Sequence, residues 1–341
     1  MLNAVVKLAN LIRPDKRGRR VLGWDLFSRL NDKAIWETMR FAAVVEIDLT
    51  GLDILGHDGL VWLASIILDR TNHDLQTYVV LPDSDKQVNF LEYTGFSTLR
   101  ESRLDFSYSN ESRLLSPESR YEARDKIKRE LSEIRFITET NWSQVNNRTV
   151  RYLEEYLIKT YEISPIGEFR VTLLDPFMNT VREVLHNVAM HGGAVGGEGQ
   201  GFMSLTLPPR GYPVLRSCFS DVGEGLAKTL SLKLSRQFRS DRDAVAMALL
   251  FRFFYREEGV EGLYPSLRWI RLREGQIHIR TGRVLAHLDL SKKATQRRFD
   301  ESYRKPTLRW LNSLVATTTC PPVPGVHIAI DQTLPSKAIS C

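Results

Sequence analysis

The apolar runs of this chain change rhythm midway, and that change limits the fold more than any single residue does. In the first half, VVEIDL (44–49) reads as a buried strand, and the turn-rich TGLDILGHDG after it leads into a helix over Leu60–Arg70. TYVVLP then reads as a second strand, and QVNFLEYTGF as a second helix closed by Gly95. Strands alternating with helices at this spacing predict parallel βαβ units. Residues 101–115 (ESRLDFSYSNESRLL) lose periodicity and turn polar. Ser116-Pro117-Glu118 follows with the order of an N-cap, a proline at the first helical position and a first-turn acid. It opens an amphipathic segment carrying Tyr121, Ile127, Leu131 and Ile134. The resulting division is an α/β domain over 1–105, a helical linker over 106–145 and a second domain over 146–341.

Beyond the linker the grouping is different. A helix over Thr149–Tyr161 precedes a strand (Phe169–Leu174), a helix (176–191) and two strands, Gly201–Leu207 and Val214–Ser220. An irregular helical stretch, a helix (263–272), a strand (Gln276–Arg280) and a late strand (Val326–Ile330) complete the order. Strands grouped this way predict an α+β sandwich with helices on one face.

Composition narrows the class of function. The charge of +6 is mixed along the chain, so nucleic acid is not indicated, and the basic cluster Lys16, Arg17, Arg19, Arg20 reads as a solvated arm. No apolar run reaches the ~20 residues that span a bilayer. The short apolar stretch of the N-terminus precedes its basic cluster, the reverse of a secretory signal, and the expectation is a cytoplasmic protein. Cys218, Cys320 and Cys341 lack disulfide or zinc spacing and read as free thiols.

Two motifs carry candidate chemistry. Asp175-Pro176 starts a helix whose Phe177, Val181, Val184, Leu185 and Val188 form one stripe at 100° per residue. Glu183 and Asn187 stack one turn apart on another face, so that a carboxylate could activate a water and a carboxamide hold a metal; a solvated face is the alternative. The strand Val214–Ser220 delivers Asp221, followed by Val222-Gly223-Glu224-Gly225-Leu226. A fixed carboxylate beside glycine backbone admits a flat ligand.

Together these motifs resemble those of a known family. EVLHNVAMHGG resembles the N-box of GHKL ATPases, most closely that of anti-sigma factor kinases, and FSDVGEGL resembles their G1 box. The segment from Ser240 to Arg283 resembles their lid, G2 region and closing helix–strand, and PGVHIAIDQTLP resembles the terminal strand. The resemblance, over roughly 145–335, implies a Bergerat-type ATP-binding sandwich with ATP and Mg2+ as cofactors. It implies Glu183 as the group polarising the attacking water or hydroxyl, and Asn187 as the magnesium ligand. Asp221 would accept from the adenine amino group, and Gly223 and Gly225 would lie against base and ribose. The phosphates would sit near Gly259–Leu263, with Gly259, Gly262 and Leu263 at a helix N-terminus. Glu261, between two glycines three apart, departs from the family's tightly spaced glycines. Lys228, Lys233, Arg236, Arg239 and Arg242 are candidate lid cations or solvated helix charges, and His186 and His191 are candidate phosphate or structural histidines. No phosphoacceptor histidine motif is present, so a complete sensor histidine kinase is not expected.

VVEIDLTGLDILGHDGLVWLASIILDR with LEYTGF is similar to STAS domains, over about 40–100. Asp58 stands before Gly59 where that family often carries a phosphorylatable serine, and is expected to cap the helix. The combined expectation is a signalling or regulatory protein, a STAS-like module fused to a GHKL domain. It would act on a regulatory protein partner as an ATPase switch or serine/threonine kinase, and could form a homodimer; the alternative is a nucleotide-binding scaffold without catalysis.

Overall fold

The computed structural model describes residues 3–12, 14–23, 33–102, 104–109, 111–114, 133–161, 175–193, 198–206, 214–235, 237–254, 263–303 and 306–333. Its first part runs β1 (Asn3–Lys7), α1 (Leu8–Leu11), β2 (Val21–Leu22), α2 (Lys33–Phe41), β3 (Val44–Asp48), β4 (Ile54–Leu55), α3 (His57–Thr71), β5 (Gln76–Val80), α4 (Asp85–Tyr93), α5 (Phe96–Ser102) and β6 (Ser107–Tyr108). Strands β1, β3, β5 and β6 pair in that order, all parallel. Alternation puts Val45, Ile47 and Val79 in the core and leaves Glu46 and Tyr78 on the other face.

The second part runs β7 (Arg135–Thr138), α6 (Trp142–Tyr161), α7 (Asp175–His191), β8 (Gln200–Thr206), β9 (Val214–Asp221), α8 (Leu226–Leu234), α9 (Asp241–Phe254), α10 (Tyr264–Leu272), β10 (Gln276–Asp289), α11 (Lys293–Ser302), α12 (Leu308–Leu314) and β11 (Ala316–Thr333). Its strands form an antiparallel sheet in the order β10-β11-β9-β8-β7. β10 doubles back at Gly282-Arg283. The Leu290 amide donates to the Gly275 carbonyl at 2.9 Å, and the His278 and His287 rings stack 4.0 Å apart. β11 wraps that hairpin: residues 326–331 pair with its first arm and 316–319 with its second. Arg280, fully buried, fastens the crossing by donating to the Thr281, Gly282, Val284 and Pro321 carbonyls. These two elements extend well beyond the expected Gln276–Arg280 and Val326–Ile330.

Three expectations are corrected here. First, the stretch read as a helical linker supplies strands at both ends: Ser107–Tyr108 joins the parallel sheet and Arg135–Thr138 the antiparallel one. Ile134 and Phe136 face one side and Ile137 the other, and the interleaved charges Glu133 and Arg135 obscured the strand; residues 115–132, with the rest of the expected amphipathic segment, lie outside the described residues. The expected strand at Phe169–Leu174 lies outside them too. Second, helices cover both faces of the antiparallel sheet. Met203, Leu205, Phe219, Ile328 and Ile330 share a core with Val181, Val184, Leu185 and Val188 of α7. On the opposite face Phe202, Cys218 and Ala329 share the core of the first part, where α3 packs. The reason is legible in LVWLASIILDR, which is apolar on every side. Every residue of α3 from His57 to Arg70 is buried, and a helix apolar all round belongs between two layers. Third, Asp58 does not cap α3, because Gly56 occupies that position. Asp58 accepts from its neighbour's amide (Gly59, 3.0 Å) and faces Arg216 at 3.5 Å. Among the described residues, no helix is long and apolar enough to cross a membrane.

Candidate functional site

A cleft opens between α7, β9, α8 and α9 on the α7 side of the antiparallel sheet. Its walls are largely apolar (Val184, Val188, Phe219, Leu226, Leu230, Ile328), and Asn187, His191, Asp221 and Thr229 are its polar lining. A mainly apolar concavity with a few convergent polar groups fits a small-molecule site. It exists because α7 is amphipathic. The stripe through Val181, Val184, Leu185 and Val188 seats the helix on β8 and β9, and the adjoining positions then look along the cleft.

Asp221 ends β9 and is 6% exposed. Its Oδ1 accepts from the amides of Gly223 (3.0 Å) and Val326 (2.9 Å). Among the described residues its Oδ2 has no hydrogen-bond partner and no cation pairs with the carboxylate. Burial therefore pushes the acid up to about 7, opposed only by those two N–H groups. A carboxyl held this way offers one oriented oxygen to a ligand and sits near the midpoint of its own titration at neutral pH.

The glycines of this turn serve the protein's own backbone. A Cβ on Gly223 would lie 2.7 Å from the His191 carbonyl, so this residue packs on the end of α7. Gly225 has φ of +79° and abuts the Thr281 hydroxyl, which accepts from the Leu226 amide at 3.0 Å. Neither glycine is among the cleft lining. Gly192, Gly201 and Gly325 bring three further backbones against Asp221 or its peptide. The carboxyl is thus set in a collar of glycines that no side chain could enter.

Asn187 lines the cleft and donates from Nδ2 to Glu183 Oε1 at 3.3 Å, so the two stack as their spacing required. Glu183 itself is half-buried and is not among the lining residues. His191 lines the cleft, whereas the His186 ring is set edge-on to Trp142 of α6, 5.1 Å away. Leu263 lines the cleft as the residue before α10; Gly259 and Gly262 lie outside the described residues. Of the candidate lid cations, Lys228 pairs with Glu224, and Arg242 donates to the Asn312 carbonyl at 3.0 Å. Arg239 is exposed, and the side chains of Lys233 and Arg236 lie outside the described residues.

Sequence reasoning missed the part of the site supplied by β11. Val326 both lines the cleft and holds Asp221, and Gly325 (φ of +69°) donates from its amide to the Gly223 carbonyl at 2.7 Å. The dipeptide Pro324-Gly325 was the available signal, since it marks a turn inside a β-rich run. Compared with known protein families, with curated proteins and with solved structures, the chain has no match.

Proposed function

We propose that the cleft binds an adenine nucleotide with magnesium, in the manner of the GHKL ATPases that its motifs resemble. On this reading the protein is a regulatory ATPase switch or a serine/threonine kinase acting on a partner protein. The observation that carries the reading is the Asp221 carboxyl. It is buried at an apolar cleft, oriented by two backbone amides through one oxygen and open to a ligand through the other. An oxygen of this kind accepts from an exocyclic amino group, while the apolar walls take the faces of a flat ring. A guanine would present its carbonyl oxygen to the same acceptor and be repelled. Asn187, at the cleft lining, would hold the metal, which would supply positive charge to offset that of a phosphate group. Glu183, hydrogen-bonded to it, would take a proton from the attacking water or hydroxyl.

Calorimetry with ATP and GTP in magnesium tests this directly. ATP is expected to bind in preference, and Asp221→Asn to weaken it by roughly 1–3 kcal/mol through the loss of a charged acceptor. Equal affinities for the two nucleotides would overturn the assignment of Asp221. One observation favours a second reading, a nucleotide-binding scaffold without catalysis: Glu183 stands back from the cleft and its carboxylate is engaged by Asn187. Phosphate release separates the two. As a base, Glu183→Ala loses about 10²–10⁴-fold in turnover with affinity nearly intact. A scaffold shows ATP binding with no release in the wild type.

A further inference from the structure

The polar chain behind Asp221 runs through the sheet to the first part of the molecule. His327 follows Val326 on β11 and is 2% exposed, on the face opposite the cleft. Its Nε2 lies 3.0 Å from the Pro324 carbonyl, and its Nδ1 is hydrogen-bonded to the Ser220 hydroxyl. Ser220 immediately precedes Asp221; with Nε2–H of the neutral ring directed at Pro324, Nδ1 accepts from the Ser220 hydroxyl, whose oxygen lies 2.7 Å from Ser65 Oγ of α3. Ser65 Oγ is also 2.7 Å from the Trp62 carbonyl within α3. The bend Pro324–Val326 is thus gripped at one end by His327 and at the other by the Gly325–Gly223 hydrogen bond. That bend supplies one of the two amides fixing the Asp221 carboxyl.

We propose that His327 and Ser65 are positioning residues of the cleft, holding from the far side of the sheet the β11 bend that orients Asp221. The inference rests on the reading of the cleft as a nucleotide site for its consequence, and on the hydrogen-bond chain for its substance. Through Ser65 the packing of α3 becomes a determinant of ligand affinity, so a partner that shifts α3 would alter the cleft without touching it.

The environment makes the effect readable. Around Asp221, the described titratable groups are His191 from α7 on the cleft side and, through the sheet, His327; Arg280 of β10 stands beside His327, and α3 contributes Ser65 there. The Val326 amide holds the Asp221 carboxylate down against burial, so loosening the bend moves the acid further up. A merely structural loss would lower stability and leave that titration in place.

The test is the titration of the Asp221 side-chain carboxyl in the ligand-free full chain. It is followed by 13C NMR and assigned by its disappearance in Asp221→Asn. Ser65→Ala and His327→Gln are compared with Phe299→Leu, a core trim in α11 whose ring contacts are Tyr303 and Trp310. Both polar variants are expected to raise the midpoint, His327→Gln by roughly half to one pH unit, Ser65→Ala by less. ATP affinity is expected to fall by about three- to ten-fold in parallel, and Phe299→Leu to change neither. An unmoved midpoint in folded Ser65→Ala overturns the proposal, and that variant decides alone where His327→Gln does not fold. A wild type that binds no adenine nucleotide refutes the nucleotide reading instead, because the titration needs no ligand.

Discussion

Two aspartates on one sheet, each 6% exposed, have been given opposite surroundings. Asp331, near the end of β11, is saturated. Arg216 Nε donates to its Oδ1 at 2.6 Å, Nη2 to its Oδ2 at 2.7 Å, and Gln276 Nε2 adds a third bond at 3.0 Å. Asp58 of α3 approaches the same guanidinium, and the two carboxylates raise the Arg216 pKa above its usual value, Asp331 most. Asp221 has two neutral amides on one oxygen and a cleft before the other. The first arrangement engages both oxygens with the protein's own donors and neutralises the charge with Arg216. The second leaves a buried carboxyl incompletely compensated, a cost that a fold retains where a ligand is to be bound. The comparison therefore separates a joint from a candidate site, although both residues are acids at or near strand ends.

The largest expected effect lies at the joint. Arg216→Leu strips the cation from two buried carboxylates, for which breaking a buried pair typically costs ~3–5 kcal/mol. Arg216 keeps 38% of its side-chain exposure, so solvent reduces the penalty and about 2–4 kcal/mol is expected by urea denaturation. A loss under about 0.5 kcal/mol would mean that Asp331 is no more committed than Asp221.

Asp221→Asn should move stability the other way. Its folded-state acid lies at about 7, above the ordinary 3.8, so the stability that this group contributes is full below 3.8 and is lost as pH rises through 7. At pH 8 the wild type carries an unpaired buried charge that asparagine lacks. The variant is expected to be more stable there by about 1–3 kcal/mol, with the gap closing toward pH 4. Denaturation midpoints at the two pH values check the sign, and a variant less stable than wild type at pH 8 would break the comparison. The same titration predicts that ATP affinity falls below pH 7, where the acceptor becomes protonated.

The smallest effect is at the third donor. Gln276→Leu removes one hydrogen bond to Asp331 while Arg216 stays, and a cost of about 1 kcal/mol is expected, with nucleotide affinity unchanged. A change in affinity would show that the two ends of the sheet are coupled, which the opposite placement of joint and site does not call for.

The comparison also shows where sequence reading stops. The stacking of Asn187 on Glu183 and the placing of Asp221 at a strand end were legible because each depends on local regularity. A period of 3.6 stacks the first two on α7, and a β-rich run ending in an acid delivers the third. Asp331 sits in IAIDQT, a context much like that of Asp221 in CFSDVG, and nothing local distinguishes a committed acid from an available one. The deciding partners are Arg216 for Asp331 and Val326 for Asp221, 115 and 105 positions away respectively. Gly223 and Gly225 read as ligand-facing for the same reason: a glycine's sequence context shows that a side chain is excluded, and only tertiary contact shows what excludes it.

By itself, then, the sequence determined the parallel strand–helix alternation of the first half, the amphipathic α7 and the acid at the end of β9. Those follow from side-chain periodicity and turn chemistry, which act over a few residues. Tertiary structure alone decided that α3 is buried between two sheets, that β11 wraps a β10 hairpin, and that the bend at Pro324-Gly325 reaches back to hold Asp221. Each of these depends on which surface meets which, and burial energy is indifferent to sequence separation: an apolar helix gains about as much against a distant sheet as against its own neighbours.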